Sequence, residues 1–139
     1  MGYRLGTRSL ARLATVHPDL RRVFVRAIEL SELDFTILEG RRTLQRQRVL
    51  FAAGATTTLK SRHLAHPVDG LARAVDAAPL VKGQVRWDWP LYYKLADVIK
   101  KAASDERVPI EWGGDWKTFR DGPHWQLPWA DYPCLGHRA

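Results

Sequence analysis

The chain has 139 residues, 45% hydrophobic and 27% charged, a size and mix that suit one folded domain and exclude a disordered chain. Its 22 Lys and Arg against 15 Asp and Glu give a formal net charge of +7, which favours polyanionic partners such as nucleic acid, anionic headgroups or a carboxylate-rich cell wall. Cys134 is the only cysteine, so no intramolecular disulfide forms and a reducing compartment is expected. The opening "MGYRLGTRSLARLATVHPDL" has no apolar run of signal-peptide length, and no uncharged stretch nears the roughly 18 to 20 residues that span a bilayer. "MGYRLG" also lacks the sixth-position Ser or Thr of a myristoylation site, so no stable membrane anchoring is expected.

In chain order, Leu20, Val23, Phe24, Ala27 and Ile28 form an i, i+3, i+4, i+7, i+8 stripe, and Pro18 with Asp19 suits a first turn. A helix is predicted from Pro18 to Ser31. "DFTILEG", Asp34 to Gly40, is β-branched and closed by Gly, so it reads as a strand; "RTLQRQRVLFAAG" then reads as a helix capped by Gly54. "TTTLKSRHLAHPVDGLAR" has no period and reads as a long loop, a kind of segment that is commonly functional. "ARAVDAAPLV" and "QVRWDW" flank Lys82-Gly83 and predict a strand and hairpin. Leu91, Leu95, Val98, Ile99 and Ala102 predict a second amphipathic helix from Pro90 to Ser104. "VPIEWGG" and "HWQLP" supply two short strands. The order implies an α+β fold with helices on one side of a small, mainly antiparallel sheet. There is no internal repeat, low-complexity segment or linker.

Candidate metal ligands fall in two groups: His63, His66, Asp69 and Asp76, then Asp115, Asp121 and His124. Catalytic zinc takes three protein ligands that mix His with carboxylate and keeps a position for water, so two His and one Asp would suffice. Asp76 lies in the apolar run "ARAVDAAP", where a carboxylate needs a metal, a hydrogen bond or an ion pair. Gly122-Pro123 breaks regular structure between Asp121 and His124, so both side chains can face one pocket. With His124 on zinc, Asp121 is placed to take a proton from water whose pKa such a metal lowers to about 7. Taken singly, each His also reads as a surface or hydrogen-bonded residue, Asp121 as a turn residue, and Arg41 and Arg42 as solvated charges. Trp112, Trp116, Trp125 and Trp129 read as core and pocket wall, because basic residues do not interleave with them as on a nucleic-acid platform.

Together, "EGRRTLQRQ", "SRH", "ARAVD" and "EWGGDWKTFRDGPHWQLPW", in this order, resemble the zinc peptidases that include D-Ala-D-Ala carboxypeptidases and L-alanyl-D-glutamate endopeptidases, and most closely the endolysin branch carried by phages. The resemblance spans about Thr36 to Pro133. It implies a zinc ion held by His63, Asp76 and His124, with Asp121 as catalytic base and Arg42 and Ser61 near substrate. Asp rather than Glu as base is similar to the endopeptidase branch, which implies cleavage between L-Ala and D-Glu of the murein stem peptide. "AHPVDG" lengthens the loop between His63 and Asp76 relative to many members, which makes His66 a rival to His63. Cys134 lies beyond the matched region and is not counted as a ligand. The expectation is a monomeric zinc endopeptidase of one catalytic domain, residues 1–139, held in the host cytoplasm until it reaches the wall or periplasm. The alternatives are a D-Ala-D-Ala carboxypeptidase on the same site and a catalytically silent wall-binding domain. Nucleic-acid binding has no supporting motif.

Overall fold

The computed structural model describes residues 2–56 and 60–133. Four helices, α1 (Thr7–Leu13), α2 (Pro18–Leu30), α3 (Leu44–Ala52) and α4 (Trp89–Glu106), accompany five strands, β1 (Asp34–Glu39), β2 (Ala74–Val81), β3 (Gln84–Val85), β4 (Glu111–Trp112) and β5 (His124–Gln126). The strands form one antiparallel sheet in the order β1-β2-β5-β4, with β3 pairing β2. This is the α+β arrangement expected from the sequence. No helix among the described residues is long and apolar enough to cross a membrane.

The expected stripe on α2 is entirely buried, and Leu95, Ile99 and Ala102 of α4 meet it. These two helices pack on the sheet face that carries Phe35, Ile37, Val75, Ala77 and Trp125, and Trp112 stacks on Trp125 with ring centroids 5.6 Å apart. Because strand side chains alternate, the residues between them point the other way. On that second face Asp76 lies opposite His124, and Ala74 opposite Gln126. The polar face thus follows from the same two-residue period that builds the core.

Lys82 and Gly83 both have positive φ, 52° and 76°, as the tight two-residue turn between β2 and β3 requires. The hairpin is shorter than the sequence suggested: "QVRWDW" contributes only Gln84 and Val85, and Trp89 opens α4 behind the Asp88 N-cap with Pro90 in the first turn. α4 also runs to Glu106, beyond the expected Ser104, and ends in a left-handed cap at Arg107. α3 starts later than Arg42 because Thr43 is its N-cap and accepts from the Arg46 N–H at 3.0 Å. "VPIEWGG" forms a strand only at Glu111 and Trp112, after which Gly113–Asp115 make one 3₁₀ turn.

α1 was not anticipated. It buries only Ser9 and Leu13 and leaves Leu10 exposed, so it lacks an apolar stripe. Polar contacts dock it on β1 instead: Arg12 Nη1 donates to the Ile37 carbonyl at 2.8 Å, and Ser9 Oγ accepts from the Ile37 N–H at 3.0 Å.

Candidate metal centre

Three devices bring the site together. The β2–β5 register sets Asp76 beside His124. A bulge in β1, where Ile37 pairs with Ala77 but Glu39 with Asp76, leaves Leu38 as the extra residue and brings Glu39 alongside Asp76. The segment after Ser61 then runs beside the end of β1, with the Arg42 N–H donating to the His63 carbonyl at 2.7 Å. Glycine permits the close approaches. A Cβ on Gly40 would lie 2.4 Å from the Arg12 carbonyl oxygen, and one on Gly113 would lie 2.5 Å from that of Asp121 and 3.1 Å from His124 Cβ.

Each imidazole is oriented from behind. His63, fully buried, donates from Nδ1 to the Gly40 carbonyl at 2.7 Å, and its Nε2 faces Asp76 Oδ1 at 3.1 Å. His124 donates from Nε2 to Gln126 Oε1 at 2.7 Å, and its Nδ1 faces the same Asp76 oxygen at 3.3 Å. The carbonyl oxygens only accept, so they fix the proton on the far nitrogen of each ring and direct the near nitrogens at Asp76. Ligand atoms of His63, Asp76 and His124 all lie within 4.8 Å of one another and can hold a metal ion. Carbonyl support behind a ligating imidazole is the usual surrounding of a protein metal site, so this donor set fits the metal that the sequence implied.

The electrostatics agree. Burial alone would raise the Asp76 carboxyl, but the imidazoles of His124 and His63, which donate to it from their near nitrogens when doubly protonated, outweigh burial and hold Asp76 well below the usual carboxylate range. Burial would lower His124, yet its bond to Asp76 prevails and raises it. Asp121 is shifted up, by burial first and then by the Asp76 charge, against the opposing pull of His124, His63 and Arg42. A carboxyl of raised pKa beside groups that can hold a metal is an arrangement suited to proton transfer near neutral pH.

These residues open onto a cleft of about 770 Å³ that Arg42 and Ser61 also line. Arg42 is not a solvated charge: its guanidinium makes a double contact with the Glu39 carboxylate and donates from Nη1 to Gln47 Oε1 at 2.7 Å. Ser61 Oγ accepts from the His63 N–H at 3.1 Å. His66 is turned away, with its ring bonded to the Pro133 carbonyl and the Val68 N–H at 3.1 Å each. Asp69 pairs with Arg73 at 2.8 Å and Asp115 with Lys100 at 2.7 Å. His17 caps α2. Cys134 and His137 lie outside the described residues. Trp112 and Trp125 are core, whereas Trp116 and Trp129 line the cleft.

Residues 1–126 match the family model described as phage L-alanyl-D-glutamate peptidase. The chain belongs to the phage L-alanyl-D-glutamate peptidase family. It is 33% identical over 122 residues to the L-alanyl-D-glutamate peptidase of Escherichia phage T5, covering 87% of each chain. It is 31% identical over 130 residues to that of Listeria phage A118, covering 91% of this chain but only 43% of that longer protein. The crystal structure of the Serratia marcescens L-Ala D-Glu endopeptidase ChiX superposes with a TM-score of 0.86 at 40% identity over 96% of both chains.

Three supporting residues escaped the sequence reading. Gln126 lies two residues beyond His124 on a strand, so strict alternation puts both on one face; that signal was present. Glu39 and Gln47, which fix Arg42, had no such local signature, because the β1 bulge and the α3 docking that bring them in are tertiary.

Proposed function

We propose that the chain is a zinc-dependent peptidoglycan endopeptidase that hydrolyses the L-Ala-D-Glu bond of the murein stem peptide during host cell lysis, with His63, Asp76 and His124 as ligands. The observation that carries this reading is the convergence of two carbonyl-braced imidazoles on one depressed carboxylate, beside a raised Asp121, in a cleft. Membership of the peptidase family supports the choice of bond. Two imidazoles suit a borderline metal such as zinc, whereas magnesium and calcium prefer all-oxygen sites. Zinc, when bound, supplies Lewis-acid polarisation of the scissile carbonyl and acidifies water.

The rest of the chemistry belongs to the chain. Asp121 acts as general base on the attacking water and then returns the proton to the departing amine of D-Glu; its raised pKa suits both transfers. Arg42, held by Glu39 and Gln47, presents its remaining N–H groups to a substrate carboxylate in a fixed plane. The Ser61 oxygen accepts from the His63 N–H and lines the cleft, where its own O–H is available as a donor to the peptide. The net charge of +7 holds the protein on the anionic wall. In this reading the protein accumulates in the host cytoplasm until a separate permeabilising event gives access to the wall.

Mass spectrometry of purified peptidoglycan digested by the zinc-loaded protein, beside a chelated control, tests the reading. Free peptides beginning at D-Glu, with L-Ala left on the glycan and neither product after chelation, are expected. Release of terminal D-Ala alone would make it a carboxypeptidase, and no cleavage would leave a wall-binding domain.

A further inference from the structure

Phe119 stands apart from every other aromatic residue near the cleft. It is 78% exposed and takes φ of +52°, a left-handed conformation that a bulky side chain adopts only at a cost. Its neighbours hold that conformation in place. Arg120 donates from Nε to the Gly114 carbonyl at 3.1 Å and from Nη2 to the Tyr93 hydroxyl at 2.6 Å, with its guanidinium 4.1 Å above the Trp89 ring. Trp116 donates from Nε1 to Glu111 at 2.9 Å, and the Asp121 N–H donates to the Gly113 carbonyl at 3.0 Å. A loop pinned on both sides thus spends backbone strain to display one phenyl ring at the mouth of the cleft, with no ring partner among the described residues.

The cleft is asymmetric around this ring. On the β1 side the cleft is lined by Arg42 and Lys60; on the β4 side, which bears Phe119, it is lined by Glu111, Trp116 and Asp121, with the Arg120 guanidinium drawn off onto the Gly114 carbonyl, the Tyr93 hydroxyl and the Trp89 ring. A murein stem peptide is asymmetric in the same sense. Its carboxylates lie from D-Glu onward, and the other side of the scissile bond is L-Ala joined through a lactyl ether to an aminosugar. Charge complementarity sends the acidic half toward the cationic wall and leaves the uncharged half for the aromatic rim.

We propose that Phe119 is a substrate-contacting residue that stacks on the aminosugar and lactyl group on the L-Ala side of the scissile bond. This rests on the endopeptidase reading and adds a glycan-side subsite to it. An aromatic ring offers a rigid apolar face with little side-chain entropy to lose, and the strained backbone aims it before substrate arrives.

Steady-state kinetics of the zinc-loaded protein on two soluble substrates of the same stem peptide, one with the disaccharide and one without, tests this with Phe119→Gly and Phe119→Trp. Gly relieves the positive φ, so Tm should be unchanged or higher. On the sugar-bearing substrate Phe119→Gly should raise KM by about five- to tenfold with kcat nearly constant, the loss expected for one aromatic contact, and Phe119→Trp should restore it. On the sugar-free peptide KM should move by less than about twofold. Equal KM losses on both substrates would put the contact on the peptide, and an unchanged KM would reduce Phe119 to a loop residue; either overturns the proposal. Failure of the unsubstituted protein to cleave either substrate would overturn the endopeptidase reading and this subsite with it.

Discussion

The two faces of the β2–β5 pair differ in chemistry although they come from the same few residues. Val75 and Trp125 face α2 and α4 and hold the fold by burial; Asp76, His124 and Gln126, their immediate neighbours, face the cleft and form a hydrogen-bonded polar cluster. The first side is built almost wholly of apolar groups, and on the second Asp76, His124 and Gln126 are tolerated because each is paired. The strand alternation lets a rigid core lie directly behind the candidate centre, so orientation of the candidate ligands is inherited from core packing.

Substitutions on the two sides should therefore fail in different ways. Asp121→Asn should lower kcat by roughly 10²- to 10⁴-fold while metal content is kept. Since Asp121 is raised above its ordinary value, its ionised form is disfavoured by folding, and Tm of this variant should hold or rise. A large fall in Tm would place Asp121 among the structural residues. Trp125→Ala, on the other side, should cost about 3–5 kcal/mol of stability in denaturant titrations. Metal binding that survives in the folded fraction would show that the two faces separate. Gln126→Leu should weaken metal affinity by about 10- to 100-fold with Tm little changed, because it frees the far nitrogen of His124. Affinity equal to the parent would make Gln126 a bystander.

The smallest effect is a pH dependence of the chelated protein. Asp76 is depressed, so its pairing stabilises above the ordinary carboxylate value, 3.8, and is lost as pH falls through the lowered pKa. His124 is raised, so its contribution is full below 6.5 and is lost as pH rises through the raised pKa. Both are present together between about pH 4 and 6.5, where Tm of the chelated protein should peak. Metal should remove the alkaline decline because it replaces the proton shared by His124 and Asp76. A flat profile in the chelated protein would remove the coupling inferred between these groups.

Much of this organisation is legible in sequence wherever one local period decides. The stripe Leu20, Val23, Phe24, Ala27, Ile28 defines α2, and the apolar run "ARAVDAAPLV" before the Lys82-Gly83 turn puts Asp76 on a strand. α1 escaped because its docking depends on Ser9 and Arg12 reaching β1 rather than on an apolar stripe. At Trp89, the alternating "QVRWDW" competed with an Asp88-Trp89-Pro90 helix start, and the helix prevailed. His63 and His66 could not be separated by local pattern, since both are buried and lie near Asp76 in sequence. Only the chain path past Gly40 turns one toward Asp76 and the other toward Pro133.

That distinction gives the most direct measurement: metal content per chain of the parent, His63→Ala and His66→Ala proteins after equilibration with zinc and gel filtration, with murein hydrolysis assayed on the same samples. The assignment of His63 as ligand predicts about one zinc per chain and full hydrolysis in the parent and in His66→Ala, with neither in a folded His63→Ala. Zinc and hydrolysis retained by His63→Ala but lost from His66→Ala would contradict it.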